Sequence, residues 1–287
     1  MEQTIGTSLT LDKIITTIGD LPASPAIMST ILGLTSDPDS RVAEISRVMS
    51  MDQSLTAKVL RLSNSSYYGR SRKVTTLNEA IQILGFQALR SMVITTSAHA
   101  IYLGEDPDGI RMRLWRHSLS SAVTARQIAR HMNHPSAEEA FVAALLHDIG
   151  KLVLIQKLPG YYREIVHEVL EGVQTFLEVE QRALHFTHCD VASILLEHWS
   201  FPPGLVSAIH RHHSPPRVGN NAPPTVACLA CLGNHLSKKM GVGFSDRQIE
   251  NLAEAEFVAG LSLDEPTLGK ILEDSREHYE SEIAILK

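Results

Sequence analysis

FVAALLHDIGKLVL, residues 141–154, is the stretch whose reading decides the fold. It sets an adjacent His147 and Asp148 at the end of an apolar run, bounded by Leu145, Leu146 and Ile149. Burying ionisable groups costs free energy unless they find partners. Two kinds of partner are available here. One is a metal ion, for which imidazole nitrogen and carboxylate oxygen are suitable ligands. The other is a set of ordinary hydrogen bonds inside a helical core, and a helix over residues 138–148 would carry the pair in either case.

Working outward, helical spacing of apolar residues recurs and strand-like alternation does not. Upstream, the spacing predicts helices over residues 11–18, 26–34, 42–49, 53–62, 76–84, 88–102 and 112–131, with Gly85 breaking or bending the chain and Gly104 to Gly109 stopping it. Ser24 and Pro25 suit the cap and first position of the second of these. Downstream, residues 161–172 and 175–185 read as charged, surface-type helices. Thr187 and Asp190 form a capping pair that starts a helix at His188, whose ring should point inward. Residues 205–213 place His212 and His213 on core-facing turns. A proline-rich loop over 214–224 precedes a helix over 225–240, and two or three short acidic helices around Asp264-Glu265-Pro266 finish the chain. The fold class is all-α, with no break stronger than a loop.

Composition agrees with a folded globular chain: of 287 residues, 44% are hydrophobic and 20% charged. That length can bury a sizeable core. A net charge of −6 gives no bulk attraction to nucleic acid or to an anionic membrane, so neither is expected as a partner. Three cysteines make no disulfide framework, and the N-terminus lacks a signal-peptide layout. No apolar run approaches the roughly 20 residues a membrane helix needs. A cytoplasmic setting is expected.

His117, His147, Asp148, His188, His212 and His213 lie on four separate predicted helices, each near an apolar face. Antiparallel packing could bring them together around a metal. Any one of fourteen histidines is more often a hydrogen-bonded core residue. Two adjacent polar pairs that end apolar runs, His147-Asp148 and His212-His213, are harder to explain by packing. Other signals are weaker. Cys228 and Cys231 form a lone C-x-x-C, better read as two small core residues. Lys151 could reach a phosphate, though most lysines contact only water. Tyr67, Tyr68, Arg70 and Arg72, with Lys73, make a small basic-aromatic patch suited to a ligand or partner contact.

HDIGK at residues 147–151, preceded by His117-Ser118, resembles the HD superfamily of metal-dependent phosphohydrolases. LPASPAI (21–27), DPDSRVAEISRVMSMDQSLTAKVLRLSNSSYYG (37–69) and LNEAIQILGFQALRSMV (77–93) are similar to the HDOD family, the HD-related output domain of bacterial signalling proteins. The resemblance spans residues 14–213. It implies an HD-like multi-helix bundle over 112–213, an N-terminal helical part over 14–104, and helices of 225–287 packed on the HD-like part.

It also implies that His117, His147 and Asp148 match the first three metal ligands of catalytic HD enzymes. Asn234 falls loosely where the fourth, a carboxylate, belongs, which weakens the hold on a divalent ion. His188, His212 and His213 resemble the extra ligands of two-metal HD-GYP phosphodiesterases, yet SPPRVGNNAPP follows His213 in place of a Gly-Tyr-Pro signature. The implied function is a non-catalytic regulatory module. It would work in trans through contacts with other signalling proteins, or by sensing a ligand such as a nucleotide second messenger, and its degenerate pocket would hold iron, manganese, zinc or nickel. The alternative is a phosphohydrolase of cyclic-dinucleotide phosphodiesterase type, with Asp148 and Lys151 catalytic. A third is a structural adaptor with a metal-free pocket.

Overall fold

Side-chain caps start several of the helices, among them those that follow Asp52, Thr76, Thr175 and Thr225. The computed structural model describes residues 26–36, 40–64, 73–172, 174–216, 223–244, 261 and 263–286, and the helix expected at 11–18, the Ser24-Pro25 start of the next helix and the Tyr67, Tyr68, Arg70, Arg72 patch lie outside them. Helix α1 spans Ala26–Ser36, α2 Val42–Ser50 and α3 Gln53–Ser63. Asp52 caps α3 by accepting the Leu55 N–H at 2.9 Å. Thr76 accepts the Glu79 N–H at 3.1 Å and so starts α4, Leu77–Tyr102. Gly85 interrupts this run in a non-helical conformation, φ 78° and ψ 170°, which glycine reaches at little cost, so α4 is two helical segments meeting at a kink.

Helix α5, Ile110–His131, is the central element, against which α6 (Ala137–Leu146), α12 (Val226–Lys239) and α13 (Glu265–Leu286) pack. α1, α2 and α3 pack on α4, and α4 meets both α5 and α6. α7 (Ile149–Lys157) packs on α8 (Pro159–Glu171) and on α10 (His188–His198), α8 on α9 (Phe176–Leu184), and α10 on α11 (Pro203–His210), which in turn packs on α6 and α12. Among the described residues there is no strand, and no helix is long and apolar enough to cross a membrane. The core centres on Trp115, Leu119 and Ile128 of α5, Phe141 and Leu145 of α6, and Leu229 and Leu232 of α12, all buried. Cys228 and Cys231 sit in this core as free thiols, and burial pushes Cys228 up to about 12.

Four local expectations are corrected. The helix read over 138–148 stops at Leu146. His147 and Asp148 form a corner, and Asp148 (φ −100°, ψ 9°) is the N-cap of α7. Helix α11 ends at His210, so His212 and His213 stand in the turn beyond it. Of the remainder after residue 240, read as two or three short helices, residues 245–260 and 262 lie outside those described, while Glu265–Leu286 is one helix of 22 residues, started where Asp264 accepts the Thr267 N–H at 3.0 Å. Proline at its second position is tolerated because that N–H has no intrahelical acceptor. Finally, α8 and α9 are amphipathic, and they bury Tyr162, Ile165, Val166 and Val169, and Phe176, Val179, Glu180 and Leu184.

Candidate metal centre

Each donor reaches the centre for a local reason. The Asp190 carboxylate accepts from the Thr187 N–H at 2.8 Å and from its hydroxyl at 2.9 Å, which fixes the start of α10 and turns His188 inward. α7 lies so close to α10 that a Cβ on Gly150 would stand 2.0 Å from the His188 carbonyl oxygen. Only a residue without a side chain permits that approach, and the approach brings Asp148 to His188. The corner at Leu146 turns His147 and Asp148 toward His117 on α5 and toward the turn that follows α11.

The histidines converge. Ring centroids are 5.2 Å apart for His117 and His147, 4.8 Å for His147 and His212, 5.5 Å for His188 and His212, and 4.0 Å for His212 and His213. Asp148 lies among them: its Oδ2 is 3.4 Å from His147 Nε2 and 3.9 Å from His117 Nε2, and its Oδ1 is 3.4 Å from His188 Nε2. Lys151 is buried, with Nζ 2.9 Å from Asp148 Oδ2 and 4.2 Å from the centre of the Phe176 ring. It is not the solvent-facing lysine that base rates favour. Two groups of side chains could each hold a metal ion: His117, His147 and Asp148, and His188, Cys189, His212 and His213.

Hydrogen bonds fix which nitrogen faces inward. The Nδ1 of His147 donates to the Ala144 carbonyl at 2.7 Å, that of His212 to the Ile209 carbonyl at 2.7 Å, and that of His117 to the Val242 carbonyl at 3.2 Å. The Nδ1 of His188 donates to Glu180 Oε2 at 2.7 Å. A carbonyl can only accept, so in His147, His212 and His117 the proton sits on Nδ1 and the lone pair is on Nε2, whereas His188 is protonated on both nitrogens, with its Nε2 3.2 Å from His213 Nε2. A lone pair on Nε2 is the arrangement that orients histidine ligands toward a metal. His147 Nε2, His212 Nε2 and Asp148 Oδ1 are buried with no hydrogen-bond partner among the described residues. Orphaned lone pairs in the interior carry a desolvation cost that a cation would remove. The donors therefore fit a divalent metal.

The electrostatics agree with neutral imidazoles at His117, His212 and His213 and a protonated His188 beside the Asp148 carboxylate. Burial, reinforced by His147, pushes His117 down to about 3 against the pull of Asp148. Burial and neighbouring histidines hold His212 and His213 well below the ordinary range. For His188 burial also acts downward, but Cys189 and Glu180 outweigh it and raise the group to about 10. Burial of Asp148 acts upward, yet His147, Lys151 and His188 hold it well below the usual carboxylate range.

Asn234 meets the site at its edge, with Oδ1 placed 3.0 Å from His117 Nε2. Because His117 Nε2 carries a lone pair, the amide is better satisfied with its NH2 turned toward the ring, a choice between nearly indistinguishable atoms. Either way an uncharged side chain occupies the place beside the first ligand.

Two buried residues escaped the sequence reading. Glu180 accepts from His188 Nδ1, from the His188 backbone N–H at 2.8 Å and from the Tyr162 hydroxyl at 2.5 Å. Its signal was present, because Phe176, Val179, Glu180 and Leu184 share one helical face, which sets a carboxylate in an apolar stripe. Cys189 places Sγ 3.8 Å from His212 Nδ1. Only its adjacency to His188 pointed to it.

An all-helical bundle with a His-Asp corner facing further histidines defines the HD-like class of fold. The HDOD domain family matches residues 21–215, and the chain belongs to that family. Solved structures share the fold. One, from Shewanella amazonensis SB2B and assigned provisionally by its name to the phosphohydrolases, is 24% identical, with a TM-score of 0.76 over 96% of this chain and 98% of its own. An HDOD domain protein of unknown function from Geobacter sulfurreducens is 24% identical, with a TM-score of 0.70 over the same shares. A Marinobacter aquaeolei VT8 protein, named provisionally for signal transduction, is 24% identical at a TM-score of 0.73, over 94% of this chain and 60% of its own. An uncharacterized Treponema pallidum protein is 22% identical over 223 residues, and the chain spans 41% of its length.

Proposed function

We propose that this HDOD chain is a regulatory module whose HD pocket holds a divalent transition metal without efficient hydrolysis, and which acts through contacts with other signalling proteins. The observation that carries the reading is the pairing of Asn234 with His117 at 3.0 Å, where a carboxylate would supply a second anionic ligand. His117, His147 and Asp148 would hold one ion, with His188, His212, His213 and Cys189 beside it. A bound ion would supply Lewis acidity toward a phosphoryl oxygen. The protein's own groups limit its use: Lys151 ties up Asp148 Oδ2 at 2.9 Å, which leaves Oδ1 as the free carboxylate oxygen.

A second reading, a metal-dependent phosphohydrolase with Asp148 and Lys151 in the reaction, is favoured by the two adjoining donor groups, since two-ion centres activate water between neighbouring sites. Metal analysis of protein purified without added metal, followed by phosphodiesterase assays with manganese or iron, separates the two. Bound metal that is lost in His147→Ala and Asp148→Ala, with no turnover, supports the regulatory reading. Turnover abolished by the same substitutions replaces it with the hydrolase, and protein that takes up no metal overturns both. Asn234→Asp should tighten metal binding.

A further inference from the structure

A cavity of about 430 Å³ opens where α4 meets α6, α11 and α12, and none of the metal donors lines it. Its volume is within the range of small-molecule sites. Val142 and Leu205 supply apolar wall, Arg90 and Arg211 line it as well, and Val226 and Ala227 bring in the first turn of α12. The exposed Glu139 carboxylate stands at its margin, where a second hollow of about 420 Å³ continues between α4 and α6.

Neither guanidinium has an ion pair or hydrogen bond with a described residue. Arg90 is partly buried, and burial weakens its hold on the proton even with Glu139 nearby, so its charge is incompletely compensated. The Thr225 hydroxyl caps α12 by accepting the Cys228 N–H at 3.2 Å, while the N–H groups of Val226 and Ala227 have no acceptor within the helix. They add the positive end of a helix of 14 residues to the two arginines. Of the two carboxylates that line the cavity, Glu138 is already paired with Arg126 at 3.7 Å and Arg130 at 3.4 Å, which leaves Glu139 facing two arginines and the helix end, a combination that suits a phosphate.

We propose that this cleft binds an organic phosphate of mononucleotide size, with the phosphate on Arg90, Arg211 and the first turn of α12, the ring against Val142 and Leu205, and ring N–H donors toward Glu139. The inference stands apart from the metal reading.

Calorimetric titration of the full chain with GMP and AMP tests it, with guanosine and inorganic phosphate as controls. One mononucleotide should bind at a single site, and at least tenfold more weakly as its nucleoside or as bare phosphate. Arg90→Gln and Arg211→Gln should each weaken it tenfold or more, Arg90→Lys less than Arg90→Gln, and His147→Ala should leave it unchanged. Absence of saturable binding by both nucleotides overturns the proposal. So does binding indifferent to both glutamine substitutions, equal binding of inorganic phosphate, or binding lost with His147→Ala. Metal content, measured on the same samples, reports on the other site independently.

Discussion

The Glu180 carboxylate lies 2.7 Å from Nδ1 of His188 and 2.8 Å from the same residue's backbone N–H, with both side chains wholly buried. One acceptor thus holds the ring orientation and the first backbone donor of α10 together. Partners behind a metal-binding histidine typically set affinity by 10- to 100-fold. Glu180→Gln keeps the size but loses the charge, so metal affinity measured by chelator competition should fall by about 10- to 100-fold, with less effect on unfolding. Unchanged affinity would mean that His188 is not a ligand.

Gly150 controls how closely α7 and α10 approach. A methyl group there would lie 2.0 Å from the His188 carbonyl oxygen and 3.0 Å from the Ala192 nitrogen, both backbone atoms that cannot rotate away. Gly150→Ala should cost about 1–3 kcal/mol in urea unfolding, the range of forced overpacking, and loosen metal binding as Asp148 moves from His188. Full stability in this variant would show that the two helices can separate freely.

Much of this centre was legible in the sequence because its residues come in adjacent pairs. Thr187 and Asp190 marked the start of α10 correctly, since a capping pair is a local interaction between residues three apart. The corner at His147-Asp148 was hidden for the opposite reason. Apolar residues run through both sides of it, and periodicity does not register a change of direction between two fully buried helices. The long α13 was missed because its buried face includes Ser275 and Glu282, and a polar residue in the stripe looks like an interruption until its partner on another helix is known.

The acid limit of stability should follow the buried histidines. His99 packs against Trp115 with ring centroids 4.8 Å apart, and its Nδ1 has no hydrogen-bond partner among the described residues. Burial, then the charge of Lys58, lowers its proton affinity in the folded state. A histidine with a lowered folded value contributes fully above its unfolded value near 6.5, and that contribution is lost as pH falls toward the folded value. The melting temperature should therefore drop between pH 7 and pH 5. His99→Phe, which keeps a ring beside Trp115, should drop less over that interval while matching the parent near pH 8. Parallel curves would remove His99 from the account.

The last helix is anchored by charge inside the core. Arg126 of α5 forms a buried ion pair with Glu282 of α13, its guanidinium lies 4.1 Å from the centre of the Phe141 ring, and its Nη1 is 3.7 Å from Glu138 Oε2. Burial raises the Glu282 carboxyl above its ordinary value and Arg126 opposes that rise, so the carboxylate depends on its partner. Removing one member of a buried pair commonly costs about 3–5 kcal/mol because the other charge is left uncompensated, whereas replacing both by apolar residues can be nearly neutral. Arg126→Met should therefore destabilise strongly in urea titration, and Arg126→Met with Glu282→Leu should recover most of the loss. If the double variant is as unstable as the single, the cost belongs to the lost guanidinium contacts with Phe141 and Glu138, and the pair does not anchor α13.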